Sequence, residues 1–208
     1  VSELYYKMLG AQPDMEYTER TIISKARKLA EHGITFSMFG MRRRFSAAVE
    51  DRVTELLKEH AAGYPFGHGH VSPAYQQGSR DGYYAYKHGL RVSGTHPHEW
   101  IQFHGAMFGY KMANYMAMED WINVYDGDLG TVLTDTYTTD VFMRNFSKKH
   151  AMLFTSLRPD SGDPLQFTEK VIARYRELRV DPTIKYIIFS DGLDPERAIE
   201  IANYCKGR

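Results

Sequence analysis

The sequence predicts an α/β fold built on parallel strands, and two observations support this. Helical and strand-like segments alternate along the chain, which is the order of a parallel sheet whose strands are joined by helices. Strand after strand also ends in a polar residue shortly before a helix. Since the carboxyl ends of parallel strands are where α/β proteins build their sites, the same pattern predicts where the functional side chains lie.

The composition limits the partners and the compartment. The 208 residues include 26 basic and 26 acidic side chains, so no charge excess favours a nucleic acid or an anionic membrane as partner. No apolar stretch approaches the length of a membrane span. Cys205 is the only cysteine, which excludes an intramolecular disulfide and favours a reducing compartment. We therefore expect a cytoplasmic protein.

In the first half of the chain, residues 18–32 place apolar side chains at helical spacing and predict a helix. Residues 34–39 are typical of a short buried strand. Ser46 is an expected N-cap of a helix that ends near Gly63. Residues 64–82 are rich in glycine and have no clear period, so they predict a long loop with room for one hidden strand.

In the second half, one helix is expected from about Glu99 to Met118, and its methionine and aromatic side chains indicate core or a subunit interface. Asp163 and Asp194 each precede a proline, the pattern of an N-cap followed by the first helical residue. Strands are expected at residues 90–93, 131–134, 152–156 and 184–190.

Polar residues at these strand ends predict one functional rim. His98 follows a Gly-Thr turn at a helix start, where a neutral imidazole is a good nucleophile and the helix terminus favours a negatively charged adduct. Asp135 could orient that imidazole; the alternative is a structural histidine. The residues expected to converge are Thr95, His98, Asp135, Arg158, Asp160 and Asp191.

Arg158 and Asp160 flank a proline that stiffens the segment. An arginine can bind a carboxylate, and an aspartate can accept hydrogen bonds from sugar hydroxyls or hold Mg²⁺ through water. The alternative is a structural salt bridge within the loop. Asp191 and Gly192 form a turn whose backbone N–H groups could meet a phosphate.

A metal site is a further alternative. His68 and His70, and likewise His96 and His98, form H-x-H pairs. Such a site needs three or four ligands, and the single cysteine is the only thiol partner, so we expect no dedicated metal site.

Five ordered motifs resemble the nicotinate phosphoribosyltransferase family. They are Phe39-Gly40-Met41-Arg42-Arg43-Arg44-Phe45-Ser46, Gly94-Thr95-His96-Pro97-His98-Glu99-Trp100, Leu133-Thr134-Asp135-Thr136, Arg158-Pro159-Asp160-Ser161-Gly162-Asp163-Pro164 and Phe189-Ser190-Asp191-Gly192-Leu193-Asp194. The resemblance implies an irregular α/β barrel, incomplete in this chain. It also implies a reaction of nicotinate with phosphoribosyl pyrophosphate in NAD biosynthesis, coupled to ATP hydrolysis through a phosphohistidine.

The resemblance also implies roles for individual residues. His98 would carry the phosphoryl group with Asp135 as its partner, and Thr95 and Arg158 would contact nicotinate. Asp160 would hold the ribose or Mg²⁺. Substrate-binding roles extend to Asp191, Gly192 and Arg42. A homodimer with a shared site is expected.

Some features depart from the family or leave alternatives open. Related nicotinamide enzymes carry an acid where this chain has Met38, which favours nicotinate. Residues 78–81 read Gly-Ser-Arg-Asp where the family usually has Gly-Thr-Ser-Asn. We expect residues 1–208 to be the central part of the barrel domain, with an insertion at about 64–82 and without the N-terminal domain and the C-terminal phosphate loop. The alternatives are a nicotinamide enzyme, a truncated non-catalytic paralogue that only binds, and a metal-binding module.

Overall fold

The computed structural model of the chain describes residues 1–61, 76–79, 82–92 and 94–207. The chain divides into two units. The N-terminal unit comprises residues 1–93 with 195–199, and the C-terminal unit comprises residues 94–194 with 200–208. Each unit has a three-stranded sheet in which every described strand pair is parallel. The predicted α/β class with parallel strands is therefore confirmed.

The N-terminal unit packs two long helices beside its sheet. Ala26 and Ala30 of one helix meet Val53, Leu57 and Ala61 of the other in a small apolar core. Its elements are α1 (Ser2–Met8), α2 (Met15–Glu31), β1 (Phe36–Met38), a 3-10 helix (Met41–Arg43), α3 (Ala47–Ala61), β2 (Gln76–Ser79), α4 (Gly82–His88) and β3 (Arg91–Val92), with strand order β1-β2-β3.

One strand lies inside the stretch predicted as a long loop. β2 occupies four of those residues and pairs with both β1 and β3, which accounts for the hidden strand. Residues 62–75 and 80–81 lie outside the described residues. They include His68 and His70, which form one of the two H-x-H pairs, and Arg80 of the Gly-Ser-Arg-Asp segment.

The C-terminal unit contains the predicted rim. Its elements are α5 (His98–Phe108), α6 (Ala113–Tyr125), β4 (Thr131–Leu133), α7 (Thr139–Asn145), α8 (Lys148–Leu153), β5 (Ser156–Arg158), α9 (Pro164–Glu177), a 3-10 helix (Pro182–Ile184) and β6 (Tyr186–Ile187); α10 (Pro195–Cys205) follows. The strand order is β4-β5-β6. Leu133 pairs with Arg158, so β4 and β5 end side by side.

Two predicted elements in this unit were wrong. The single helix from Glu99 to Met118 is two helices, because Gly109 takes a positive φ of 77° and ends the first. The strand predicted at 152–156 begins only at Ser156, as β5, because Met152 and Leu153 belong to α8. Ser147 and His150 form a capping box that starts α8. The apolar run at residues 152–154 is too short for its periodicity to distinguish a helix from a strand, so the cap decides in favour of the helix.

The core behind the rim is aromatic. The side chains of Phe142, Phe146 and Phe154 are fully buried and pack with Val132 of β4 and Leu157 of β5. Such close packing leaves the strand ends little freedom to move. Within the described residues both sheets are open, so the irregular barrel stays a prediction. In that same part of the chain, no helix is both long and apolar enough to cross a membrane.

Candidate active site at the strand ends

The site is organised around the buried guanidinium of Arg158, the last residue of β5. Its side chain is 4% exposed. Nε donates to Ser190 Oγ at 2.7 Å, Nη1 donates to Thr95 Oγ1 at 2.7 Å, and Nη2 forms an ion pair with Asp160. One guanidinium therefore joins the segment before α5, the end of β5 and the residues after β6.

Asp160 is held as a carboxylate. Its Oδ1 accepts hydrogen bonds from Arg158 and from Ser190 Oγ, the latter at 2.8 Å. Burial by itself would raise the pKa of Asp160, but the Ser190 hydrogen bond and the charge and hydrogen bond of Arg158 outweigh it and lower the pKa below the usual value. Asp160 is therefore ionised at neutral pH, and its Oδ2 can only accept.

His98, the first residue of α5, lies against that oxygen. Its Nε2 is 3.4 Å from Asp160 Oδ2, and its Nδ1 is 3.0 Å from Thr136 Oγ1. Because an ionised carboxylate only accepts, Nε2 carries a proton, and in the neutral ring Nδ1 accepts from the Thr136 hydroxyl. The imidazole is partly exposed, as a group that reacts with a substrate must be.

Asp135 does not take the place predicted for it. Within the described residues the imidazole of His98 bonds to Thr136 and Asp160, while Asp135 Oδ2 accepts from Ser161 Oγ. Asp135 Oδ1 is buried and has no hydrogen-bond partner there. Sequence reasoning missed Thr136, although the residue stands next to Asp135 in one of the five motifs.

Backbone hydrogen bonds fix this rim. Thr134 N–H and its hydroxyl both donate to the carbonyl of Arg158, at 3.1 and 3.2 Å. His96 N–H donates to the carbonyl of Thr131 at 3.2 Å. The segment that carries Thr95 is therefore tied to β4, and β4 is tied to β5.

Three further residues that were predicted to bind substrate are exposed. Asp191 and Gly192 are exposed in the turn after β6, where Gly192 takes a positive φ of 55°. Ser190, which was not singled out from the sequence, is the residue of this motif that reaches Arg158. Arg42 is exposed on the first 3-10 helix, in the N-terminal unit.

The ring of His96 is buried and packs between other aromatic rings. Its ring lies 4.1 Å from that of Trp121 and 5.8 Å from that of Phe154, centroid to centroid, and neither ring nitrogen has a hydrogen-bond partner in the described structure. Burial, with a smaller effect of His104, lowers the pKa of His96 to about 3. Among the described residues, no group of three or more His, Cys, Asp or Glu side chains is placed to hold a metal ion.

The arrangement combines three chemical capabilities. His98 offers an imidazole at a helix N-terminus, where a negatively charged adduct is stabilised. Asp160 offers an ionised carboxylate beside it, and Arg158 a buried cation that suits an anionic ligand. A site that handles phosphoryl groups and a carboxylate has this composition.

Residues 34–208 match the model of the nicotinate phosphoribosyltransferase (NAPRTase) family. The chain is 44% identical over 212 residues to a nicotinate phosphoribosyltransferase of Chromohalobacter salexigens, covering 100% of this chain and 51% of that protein.

Two solved structures are also similar. A crystal structure of nicotinate phosphoribosyltransferase from Porphyromonas gingivalis is 67% identical, with a TM-score of 0.91, over 100% of this chain and 50% of that one. One from Vibrio cholerae is 31% identical with a TM-score of 0.87, over 100% and 48%. The chain spans about half the length of the curated relatives it matches.

Proposed function

The chain belongs to the nicotinate phosphoribosyltransferase family, and we propose that it acts in the reaction of that name. Nicotinate and phosphoribosyl pyrophosphate would give nicotinate mononucleotide and pyrophosphate, a step of NAD biosynthesis. The observation that carries the proposal is the joined set of Thr95, His98, Arg158 and Asp160 at the strand ends.

We assign nicotinate to Arg158 and Thr95. The substrate is a planar carboxylate, and a guanidinium is the side chain best suited to pair with one. Burial strengthens the pairing because water competes less for the charge. Thr95 already shares a hydrogen bond with that guanidinium, so both side chains can meet the same end of the ligand.

The coupling to ATP is assigned to His98. Its unprotonated nitrogen would form a bond to the γ-phosphorus while the bond from that phosphorus to the β–γ bridging oxygen breaks, releasing ADP. Water would later cleave the P–N bond and release phosphate. Asp160 supports this role because its carboxylate can hold the proton on the other ring nitrogen.

Mg²⁺ fits this site only as an ion that arrives with phosphate. No cage of three protein ligands is present in the described part of the chain, but Mg²⁺ usually keeps several waters and uses one or two carboxylates together with substrate phosphates. Asp135 suits such a role, since its buried Oδ1 lacks a hydrogen-bond partner among the described residues. The ion would neutralise charge on the pyrophosphate as it leaves.

Asp191, Gly192 and Arg42 complete the proposal as residues that bind the phosphate-bearing substrates. The residues of the turn after β6 are exposed, and backbone N–H groups of such a turn could bind a phosphate; Arg42 is an exposed cation. The irregular α/β barrel is proposed for the full-length protein, since both units contain parallel strands joined by helices.

A homodimer in the cytoplasm is part of the same proposal. Phe103 and Met107 of α5 are 57% and 58% exposed, and such apolar surface on a helix is suited to a subunit interface. Light scattering of the full-length protein tests the dimer directly. A monomer at micromolar concentration would exclude it.

The test of the activity is pyrophosphate release by the full-length protein with nicotinate, phosphoribosyl pyrophosphate and ATP. We expect turnover that needs nicotinate and is accelerated by ATP, and loss of the ATP effect in His98→Ala. His32→Ala, at an exposed helix end, is the matched control and should behave as wild type. Turnover with nicotinamide only, binding of phosphoribosyl pyrophosphate without turnover, or an unchanged His98→Ala would overturn the proposal.

A further inference from the structure

The turn between β4 and α7 is strained, and it touches the proposed phosphoryl carrier. Thr138 N–H donates to the carbonyl of Asp135 at 3.3 Å and closes the turn. Thr138 has φ 76° and ψ 143°, a region that a β-branched residue rarely adopts because its side chain crowds the backbone. Such strain persists only where the surroundings hold the segment in place.

The surroundings that hold it are on α5. Gly105 lies buried on that helix, and Tyr137 packs directly over it. A Cβ built on Gly105 would lie 2.3 Å from Tyr137 Oη and 3.1 Å from Cζ. The Tyr137 ring also meets that of Tyr110, with 5.3 Å between centroids. The absence of a side chain at Gly105 is therefore what allows Tyr137 to reach the helix.

The turn delivers one hydroxyl to the imidazole at the start of the same helix. Thr136 Oγ1 lies 3.0 Å from His98 Nδ1. A hydroxyl can donate to the neutral ring and accept from the charged one, so this contact suits both protonation states. Asp160 on the other nitrogen can only accept. Asp160 therefore favours the neutral tautomer with the proton on Nε2, and the Thr136 hydroxyl fixes the direction in which Nδ1 points.

We propose that Thr136 is a positioning residue that sets the orientation of the His98 ring, and that the packing of Tyr137 on Gly105 holds Thr136 in place. The expected effect on phosphorylation of His98 rests on the function proposed above. The hydrogen bond between Thr136 and the His98 ring does not, because it is a property of the protein without substrates.

The first experiment compares Thr136→Val with Thr136→Ser in the full-length protein labelled with [15N]histidine, with His98→Ala used to assign the resonance. Valine keeps the shape and removes the hydroxyl, and serine keeps the hydroxyl. We expect Nδ1 of His98 to show, in wild type and in Thr136→Ser at pH 8, the 15N chemical shift of a nitrogen that accepts a hydrogen bond. In Thr136→Val the proton should stay on Nε2 because Asp160 still accepts it, but the Nδ1 resonance should move to that of a nitrogen without a hydrogen bond, with ATP-dependent labelling of His98 slowed by roughly 10- to 100-fold. An unchanged spectrum in Thr136→Val would overturn the proposal even if the protein proved not to turn over nicotinate.

The second experiment tests the packing of Tyr137 on Gly105. Gly105→Ala should push the Tyr137 hydroxyl away, displace Thr136 and shift the Nδ1 resonance of His98 as Thr136→Val does. Adding Tyr137→Phe removes the oxygen that the new Cβ would meet and should restore the wild-type Nδ1 resonance. Tyr137→Phe alone measures what loss of the hydroxyl does by itself. Circular dichroism establishes that each variant is folded. If the double variant is folded but its His98 Nδ1 resonance is no closer to that of wild type than the resonance of Gly105→Ala, the packing of Tyr137 on Gly105 does not hold Thr136 in place.

Discussion

Arg158 and Asp160 form an ion pair across a single proline, and Ser190 hydrogen-bonds to both members of the pair. The guanidinium is 4% exposed and the carboxylate 24%. A charge buried to this degree is costly unless it is paired. This relationship therefore serves the fold as well as the site, and the two roles can be separated by experiment.

Asp160→Asn should destabilise the C-terminal unit. The substitution leaves the buried guanidinium of Arg158 without its carboxylate, which costs about 3 kcal/mol for a buried pair. Urea unfolding of the full-length protein measures the change. Asp140→Asn breaks a pair with Lys170 that is exposed on both sides and should leave the midpoint nearly unchanged. Equal effects of the two variants would contradict the prediction.

Thr95→Val should weaken nicotinate binding more than it slows the chemical step. The valine cannot accept the hydrogen bond that Arg158 Nη1 donates to Thr95 Oγ1. Nicotinate also loses the Thr95 hydroxyl as a hydrogen-bonding partner next to this guanidinium. Loss of a hydrogen bond to a charged group costs about 1.5 kcal/mol, so KM for nicotinate should rise roughly tenfold. KM for phosphoribosyl pyrophosphate serves as the internal control. A change confined to kcat would assign Thr95 to a different role.

His96 should make the protein less stable in mild acid. Its pKa is about 3 in the folded protein and about 6.5 when the chain is unfolded. Between these values the unfolded state binds more protons, so stability falls as the pH is lowered from about 6.5 towards 3. From pH 7 to pH 5 this one residue contributes a loss of about 2 kcal/mol.

His96→Phe isolates that contribution, because phenylalanine keeps an aromatic ring between Trp121 and Phe154. Burial also lowers the pKa of His150, so wild type and variant are compared at each pH. The Asp160 carboxylate protonates only below its ordinary pKa and does not interfere above pH 5. The unfolding free energy of wild type minus that of His96→Phe should increase by about 2 kcal/mol as the pH rises from 5 to 7. A constant difference would mean that His96 is not neutralised by burial.

Gly130→Ala should disturb the pairing of β4 with β5. A Cβ there would lie 2.9 Å from the carbonyl oxygen of Gly127 and 3.0 Å from the amide nitrogen of Thr155, and backbone atoms cannot give way as a flexible side chain can. We expect a loss of about 1–3 kcal/mol, as for an overpacked core. Gly40→Ala, where nothing lies within 4 Å, is the control in thermal unfolding. A wild-type melting temperature in Gly130→Ala would show that the backbone at this point is not tightly held.

Local chemistry determined the parts of this protein that the sequence predicted correctly. Asp163 accepts from Gln166 N–H and Pro164 begins α9, because a carboxylate cap and a proline with fixed φ act within one helical turn. The position of Arg158 and Asp160 at a strand end could be predicted for the same reason. The apolar residues before them and the proline between them are neighbours in the chain, so the signal is local.

Contacts between distant segments decided the rest. Whether Asp135 or Thr136 faces His98 depends on how the turn after β4 is seated, and Gly105 and Tyr137, 32 residues apart in the sequence, decide that seat. Ser190, Thr95 and Asp160, which all bind the guanidinium of Arg158, come from three separate segments. The sequence by itself determined which residue types meet at the strand ends. Only the tertiary structure decided which atoms share a hydrogen bond, because side-chain direction in a strained turn is set by packing and not by the order of residues.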